Sequence, residues 1–287
     1  MRYKIKHQSC YRYSRPVFLE PQIIRLQPRC DVNQRPDDFY IRITPQPAGL
    51  CQHLDAEGNQ ATSVWFNGLT ENLQIETSFT VETRLANPFD YLITEPNCEN
   101  LPASYAHELD PALACHLTPI GDATVSAFAA ALAWECNHES PAFLTRLCAK
   151  LYEFNIIIRP EGDPLPPQET LQTKCGSCRD LALLFMAVCR CQGLAARFVS
   201  GYQEGDPDQN ARELHAWAEV YLPGGGWRGY DPTHGLVVSD RHIVVAASFA
   251  PAGAAPLSGN FRGTGATAEL SFNISLTRER PNAQSQQ

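Results

Sequence analysis

The chain has 287 residues and a formal net charge of −8, with 23 Lys and Arg against 31 Asp and Glu. This balance argues against a nucleic-acid binder and against a polybasic membrane-surface protein, because both carry a basic excess. Hydrophobic residues make up 44% and charged residues 19%, which is typical of a globular chain rather than a disordered one. The length predicts one large or two ordinary domains.

The compartment is predicted from targeting features and cysteine content. The longest apolar run, residues 181–188, is far shorter than the ~18 residues of a membrane-spanning helix. Residues 1–8 lack the apolar stretch and the small-residue cleavage site of a secretory signal. We therefore expect a cytoplasmic protein whose eleven cysteines are mostly reduced and structural.

Residues 1–95 are predicted to form a β-rich N-terminal domain. Pro, Gly and Asn separate short stretches that are rich in β-branched and aromatic residues. The predicted strands are 3–13, 39–44, 61–66 and 73–85. Short strands at this spacing are typical of an antiparallel sandwich or barrel, and we expect a β-sandwich-like domain.

Residues 96–280 are predicted to form a second, α+β domain, because the composition changes near 88–102. Apolar residues at helical spacing predict helices at 124–135 and 141–154, and a third at 178–191 after a Pro-rich connection that begins at Pro160. Strand patterns return from residue 195 and are interrupted by a predicted loop at 206–210. A polar tail, 281–287, is predicted to be flexible. The predicted strands of this domain are 195–202, 215–222, 227–231, 242–247 and 269–276. Helices followed by an antiparallel sheet define the α+β class.

The first candidate for chemistry is Cys178, within the sequence Gly-Ser-Cys-Arg-Asp at 176–180. The apolar run that follows predicts a buried helix that begins at Cys178. The unpaired N–H groups and the positive end of the helix dipole at this position favour the thiolate, which is the nucleophilic form of cysteine. Cys178 is therefore the candidate nucleophile.

A base and an orienting group are predicted from the hairpin that follows. His215 begins the predicted strand 215–222 and Asp231 ends the predicted strand 227–231, with a short Pro-Gly-Gly-Gly turn between them. In such a hairpin the start of the first strand lies beside the end of the second. If the helix of Cys178 packs across that end of the sheet, the three side chains form a Cys–His–Asp triad.

Together these segments resemble the core of the transglutaminase-like superfamily. The resemblance is carried by residues 176–180, by Arg-Phe-Val-Ser-Gly-Tyr at 197–202, by His-Ala-Trp-Ala-Glu-Val-Tyr at 215–221 and by Gly-Trp-Arg-Gly-Tyr-Asp-Pro-Thr at 226–233. Residues 1–95 resemble the β domain that accompanies this core in bacterial members. The resemblance implies a papain-like core of helices packed on an antiparallel sheet, acting on peptide or protein amides.

The chemistry that the resemblance implies proceeds through a thioester. Cys178 would be the nucleophile, His215 the general acid/base and Asp231 the orienting residue. An amine acceptor would give transglutamination, whereas water would give peptidase or amidase activity. We favour hydrolysis, because an uncontrolled cytoplasmic crosslinker would attack its neighbours. No cofactor or metal is expected, since the chain has no Asp-rich loop of the calcium-binding type.

Four further residues are candidate substrate contacts: Trp217, Trp227, Arg179 and His234. For the two tryptophans, a position in the core of the sheet is the alternative. The backbone N–H of Cys178 is a candidate oxyanion donor, with a second donor from residues 160–173 or from a tryptophan. The remaining histidines, among them His7 and His242, lack such contexts and are predicted to be surface or core residues.

Three other interpretations stay open at this point. Cys175 and Cys178 form a C-x-x-C pair that could be redox-active or regulatory. Cys175, Cys178, Cys189 and Cys191 could contribute to a zinc site. The triad could also be inert, in which case the cleft would serve as a peptide- or protein-binding module. The oligomeric state is not indicated by the sequence.

Overall fold

The structure is a computed structural model that describes residues 1–159, 162–205 and 213–279. Pro160, the predicted loop at 206–210 and the predicted tail at 281–287 lie outside the described residues. Within the described part of the chain, none of the helices combines the length and the apolar character that crossing a membrane requires.

The N-terminal domain consists of two antiparallel sheets. In the first sheet the order is β1–β6–β3, and in the second it is β2–β5–β4. Apolar side chains from both sheets, including Val17, Ile24 and Ile75, share one buried cluster, so the sheets face each other as in a sandwich. The strands are β1 (Arg2–Leu19), β2 (Gln22–Ile24), β3 (Gln34–Thr44), β4 (Gly49–Leu54), β5 (Gln60–Trp65) and β6 (Leu69–Thr83).

The helical part of the second domain surrounds one buried helix. The elements are α1 (Asp110–Leu117), α2 (Ala123–Glu135), α3 (Ser140–Tyr152), β7 (Asn155–Ile156), α4 (Pro167–Thr173), β8 (Cys175–Gly176) and α5 (Cys178–Cys191). Helix α5 is buried from Asp180 to Arg190, because its sequence is apolar on nearly every side and other helices pack around it.

Helix α5 packs on an antiparallel sheet whose order is β12–β11–β10–β9–β13. Strands β10 and β11 form the predicted hairpin, in which Ala218 pairs with Tyr230 and Leu222 with Gly226. His215 and Asp231 consequently lie at the same end of the sheet. The strands are β9 (Ala196–Gln203), β10 (His215–Leu222), β11 (Gly226–Asp231), β12 (Leu236–Val237) and β13 (His242–Ser248). The predicted α+β class with an N-terminal strand-rich domain is confirmed.

The end of the chain returns to the N-terminal domain, which differs from the predicted division at residue 95. After a 3₁₀ turn at Pro251–Ala254, β14 (Leu257–Ser258) pairs with β2, whereas β15 (Phe261–Arg262) and β16 (Ala268–Arg278) pair with β1. Strand β16 follows β1 from Tyr3 to Tyr13. Residues 257–278 therefore belong to the N-terminal sheets, because β1 would otherwise leave its backbone groups unpaired at the sheet edge.

Candidate active site

The nucleophile position is set by the start of α5. Ser177 caps the helix, and the buried carboxylate of Asp180 accepts hydrogen bonds at Oδ2 from the Ser177 backbone N–H (2.7 Å) and hydroxyl (2.8 Å). A Cβ atom at Gly176 would lie 2.9 Å from the Cβ of Asp180, so the approach to the helix requires glycine at this position. Cys178 is therefore held at the first helical residue on a fixed backbone.

The same carboxylate anchors a second segment beside Cys178, which we call the strap (residues 155–159 and 162–165). Oδ1 of Asp180 accepts hydrogen bonds from Nη2 of Arg159 (2.6 Å) and from the backbone N–H of Leu165 (2.7 Å). Arg179 in turn donates to the backbone carbonyl of Arg159 (2.6 Å). Strands β7 and β8 add a short parallel pairing at the start of the strap. The two carboxylate oxygens of Asp180 thus hold the start of α5 and the strap in place beside Cys178.

His215 lies between the thiol and a buried carboxylate. Its Nε2 hydrogen-bonds Oδ2 of Asp231 at 2.8 Å, and the ring also hydrogen-bonds Cys178. Asp231 is fully buried, and its Oδ1 accepts a hydrogen bond from the backbone N–H of Thr233 (3.1 Å). The three side chains predicted as a triad are therefore brought together in the order Cys178, His215, Asp231.

Two more histidines share the carboxylate of Asp231. Nδ1 of His234 lies 2.9 Å and Nε2 of His242 lies 3.1 Å from the same Oδ2 atom that binds His215. The side chain of His234 is 40% exposed and its ring meets that of His215 edge-on, with centroids 5.0 Å apart. His242 is buried and packs edge-on against Trp217. The carboxylate is therefore the centre of a cluster of three imidazoles.

The electrostatics of this cluster favour a charged His215 and a charged Asp231. Burial alone lowers the pKa of His215, but the Asp231 carboxylate and the Cys178 sulfur outweigh it and raise that pKa to about 10. Burial alone raises the pKa of Asp231, yet hydrogen bonds and charge from the histidines hold it well below its usual value. Burial lowers the pKa of His242, which favours a neutral ring there. At neutral pH the arrangement is an imidazolium–carboxylate pair next to the sulfur of Cys178.

An open cleft of about 560 Å³ gives access to the sulfur. Cys178, His215, Arg179 and His234 line one part of it, together with the strap. The lining also includes residues of β1 and β16 from the N-terminal domain and residues 251–256. The site therefore lies between the two domains. Of the four predicted substrate contacts, Arg179 and His234 are brought into this cleft.

The two tryptophans are not brought into the cleft. Trp217 is fully buried, and its indole covers Gly201 of β9, where a Cβ atom would lie 2.6 Å from Cη2 of the ring. Trp227 is at the other end of β11 from Asp231, with the guanidinium of Arg197 stacked 4.1 Å from its ring centroid. Both side chains therefore take structural positions, which corrects their assignment as cleft walls.

The cysteines outside the triad do not form a metal cluster with Cys178. All eleven are free thiols. Cys189 is enclosed in the core, Cys191 lies against Ser126 of α2, and Cys175 accepts a weak hydrogen bond from Asn155. Potential ligand atoms do converge within 4.8 Å at His215, Asp231 and His234. Hydrogen bonds between these groups already account for that proximity.

Sequence reasoning missed the role of His242 and the contribution of β1 and β16 to the cleft. His242 is a core residue, as expected, but its bond to Asp231 joins strands that are separated in the sheet by β10 and β9. Neighbouring-strand register therefore offered no signal for it. The second oxyanion donor was expected from residues 160–173 or from a tryptophan, and the burial of Trp217 removes that side chain from consideration.

Comparison with known proteins gives matches for both domains. A family model described as the bacterial transglutaminase-like N-terminal region matches residues 3–82, and one described as the transglutaminase-like superfamily matches residues 128–232. The second range includes Cys178, His215 and Asp231.

Individual relatives extend this similarity over most of the chain. An uncharacterized protein of Mycobacterium tuberculosis is 29% identical over 283 residues, covering 90% of this chain and 87% of that protein. A segment of 69 residues is 36% identical to part of a protein-glutamine gamma-glutamyltransferase of Pseudomonas aeruginosa, covering 22% of this chain and 10% of that protein. The crystal structure of a candidate cysteine protease from Cytophaga hutchinsonii shares the fold with a TM-score of 0.73 at 20% identity, covering 98% of this chain and 92% of that one.

Proposed function

The chain belongs to the transglutaminase-like superfamily, and from this premise we propose that it is an enzyme that attacks peptide or protein amides through a cysteine thioester. The observation that carries the proposal is the position of His215. Its ring contacts the thiol of Cys178 on one side and the buried carboxylate of Asp231, 2.8 Å away, on the other.

The first half of the reaction uses Cys178 and His215. In the reacting state the proton of the Cys178 thiol is held by His215, and the sulfur attacks the carbonyl carbon of the amide to form a tetrahedral intermediate. The C–N bond then breaks as His215 returns the proton to the departing nitrogen, which leaves as ammonia or an amine. A thioester between the acyl group and Cys178 remains.

Asp231 and the start of α5 stabilise the charges that develop. The carboxylate of Asp231 holds His215 in the orientation that directs its other nitrogen to Cys178, and stabilises the imidazolium. As the first residue of α5, Cys178 has a backbone N–H with no carbonyl one turn earlier to bind. That N–H group is the oxyanion donor that we propose.

The second half of the reaction depends on the acceptor. Water attacking the thioester, with His215 as the base, would release a carboxylate and give peptidase or amidase activity. A primary amine would instead form a new amide. We favour water, because amine transfer in a cytoplasm rich in amines would need a control that hydrolysis does not need.

The proposal is tested by mass spectrometry of peptide products. Wild-type protein, Cys178→Ala and the control Cys175→Ala are each incubated with a mixed peptide library, with and without an isotope-labelled primary amine. We expect wild type and Cys175→Ala to change the library and Cys178→Ala to leave it unchanged. The product masses then distinguish cleavage, deamidation and amine incorporation.

An inert triad would give a different result. The library would remain unchanged with all three proteins, and Cys178 would react with iodoacetamide no faster than the other exposed thiols at pH 6. That outcome would replace the enzyme proposal by the binding-module interpretation.

A further inference from the structure

One wall of the cleft is built from β1 and β16, the first and last strands of the described residues. On each strand, alternate residues face the same side, and alternate residues from 7 to 11 of β1 and from 270 to 274 of β16 line the cleft. We call this surface the β wall. It consists of three cross-strand pairs: His7 with Ile274, Ser9 with Phe272 and Tyr11 with Leu270.

The β wall continues the interface between the two domains. The preceding residues on the same face of β1, Tyr3 and Ile5, are fully buried in a cluster with Tyr202, Ile243 and other side chains. From His7 onward the face opens into the cleft that contains Cys178. Between residues 7 and 11 the wall is about 14 Å long, at a rise of about 3.4 Å per residue. That length matches about four residues of an extended peptide.

The β wall carries no net charge at neutral pH. Its ionisable imidazole, His7, is buried and has both ring nitrogens in hydrogen bonds, to the Tyr202 hydroxyl (2.8 Å) and to the Ser9 hydroxyl (3.0 Å). Burial lowers the pKa of His7 to about 4, so the ring is neutral at pH 7. The other pairs present aromatic and aliphatic surface, and Phe272 is 37% exposed.

Other parts of the cleft lining also contribute apolar residues. The strap contributes Ile156, Ile157, Ile158 and Pro164, and the 3₁₀ turn and its continuation contribute Pro251 and Pro256. Arg159, a charged strap residue, is bound to the buried carboxylate of Asp180. A ligand that enters beside the β wall therefore meets further apolar surface, while Asp163, Glu213 and Arg179 supply charged groups elsewhere in the lining.

We propose that the β wall is the specificity surface of the enzyme, which binds an extended, uncharged and apolar segment of the peptide substrate next to the reacting amide. This inference rests on the proposed function and adds the class of substrate to it. A charged side chain at this position would lose its hydration without gaining an ionic partner from the β wall. An apolar side chain would instead cover Phe272 and its neighbours.

Peptide binding to the Cys178→Ala variant, which lacks the nucleophile, tests the inference without requiring turnover. The probes are three fluorescently labelled synthetic peptides with a central glutamine, flanked by Leu and Phe, by Lys, or by Glu. Their affinities for Cys178→Ala are measured by fluorescence anisotropy. We expect the apolar peptide to bind at least ~10-fold more tightly than either charged peptide, as is typical of side-chain discrimination by an apolar pocket.

A pair of lysine substitutions on β16 locates the effect. Added to Cys178→Ala, Phe272→Lys puts a charge on the β wall, whereas Asn273→Lys puts the same charge on the opposite face of the same strand. We expect Phe272→Lys to weaken binding of the apolar peptide at least ~10-fold and to strengthen binding of the Glu peptide. Asn273→Lys is expected to change each affinity less than twofold. Phe272→Ala removes the aromatic ring without adding a charge. We expect it to weaken binding of the peptide flanked by Leu and Phe less than Phe272→Lys does.

Three results would overturn the inference: no measurable binding of any peptide, equal binding of all three, or the same change with both lysine substitutions. The library experiment with wild-type protein separates this failure from failure of the proposed function. If turnover depends on Cys178 but shows no preference for apolar flanking residues, the proposed function is supported and the role of the β wall in specificity is contradicted.

Discussion

Replacing Asp231 by Asn would remove the negative charge that keeps His215 protonated, while nearly preserving the shape of the side chain. Oδ2 of Asp231 receives hydrogen bonds from His215, His234 and His242, so this carboxylate is the centre of the site. The substitution therefore tests whether the charge of Asp231, rather than its volume, prepares Cys178 for reaction.

The magnitude follows from the pKa of His215, which lies at about 10 instead of 6.5. At about 1.4 kcal/mol per pKa unit, the charged ring is favoured by about 5 kcal/mol, shared between Asp231 and Cys178 after the opposing effect of burial. Because the folded pKa is above the unfolded one, this contribution to folding is complete below about pH 6.5 and is lost as the pH rises through about 10.

Without the carboxylate, burial would oppose the charged ring with less compensation, and the pKa of His215 would fall. The positive charge next to the sulfur of Cys178 would then be reduced. Because the thiolate is the form of cysteine that is alkylated, we expect alkylation of Cys178 to slow severalfold in Asp231→Asn.

The assay is the rate of iodoacetamide labelling of the peptide that contains Cys178, measured by mass spectrometry between pH 5 and pH 10. Asp240→Asn is the matched control, because it removes a carboxylate elsewhere on the core domain. Thermal unfolding at pH 7 checks that both variants are folded. A rate for Asp231→Asn within twofold of wild type at pH 7, with an unshifted pH profile, would show that the charge of Asp231 does not control the reactivity of Cys178.

Three other substitutions test the supporting contacts. Asp180→Asn should lower the free energy of unfolding by about 2–3 kcal/mol, because an amide cannot accept all four hydrogen bonds that bind Ser177, Arg159 and Leu165. Urea unfolding measures this change, and a loss below about 1 kcal/mol would contradict the anchoring role of Asp180. Tyr105→Phe should lower the free energy of unfolding by about 1–3 kcal/mol, because the hydroxyl bridges the backbone of Tyr221 and Ala195. This bridge lies away from the triad, so alkylation of Cys178 should keep its rate, and slower alkylation would show that the bridge influences the site. His234→Gln should raise KM for a peptide substrate about two- to tenfold while the rate of Cys178 alkylation changes less than twofold, since the half-exposed ring faces the cleft. An unchanged KM with slower alkylation would assign His234 to the chemistry rather than to substrate binding.

Much of the second domain could be predicted from local sequence patterns. The apolar run after Cys178 predicts a buried helix, and α5 begins at that residue because Ser177 and Asp180 form a capping box. The short turn between β10 and β11 predicts a hairpin, which brings His215 and Asp231 to one end of the sheet. These features depend on residues close in the chain, so periodicity, capping and turn length are sufficient to predict them.

The cleft itself depends on residues that are far apart in the chain. The sequence predicts a boundary near residue 95, but β16 returns to pair with β1, whose partner residues precede it by more than 250 positions. His242 reaches Asp231 across the width of a sheet, and His7 reaches Tyr202 across the domain interface. No spacing in the sequence encodes these contacts.

The α+β class, the helix that begins at Cys178 and the hairpin that joins His215 to Asp231 all follow from local patterns in the chain. The packing of Trp217 and Trp227 away from the cleft, the sharing of one carboxylate by three histidines and the wall formed by β1 and β16 follow only from the assembled fold. The physical reason is that helix caps and tight turns are formed by neighbouring residues, whereas the walls of a cleft result from the packing of complete sheets, to which every residue at their interface contributes.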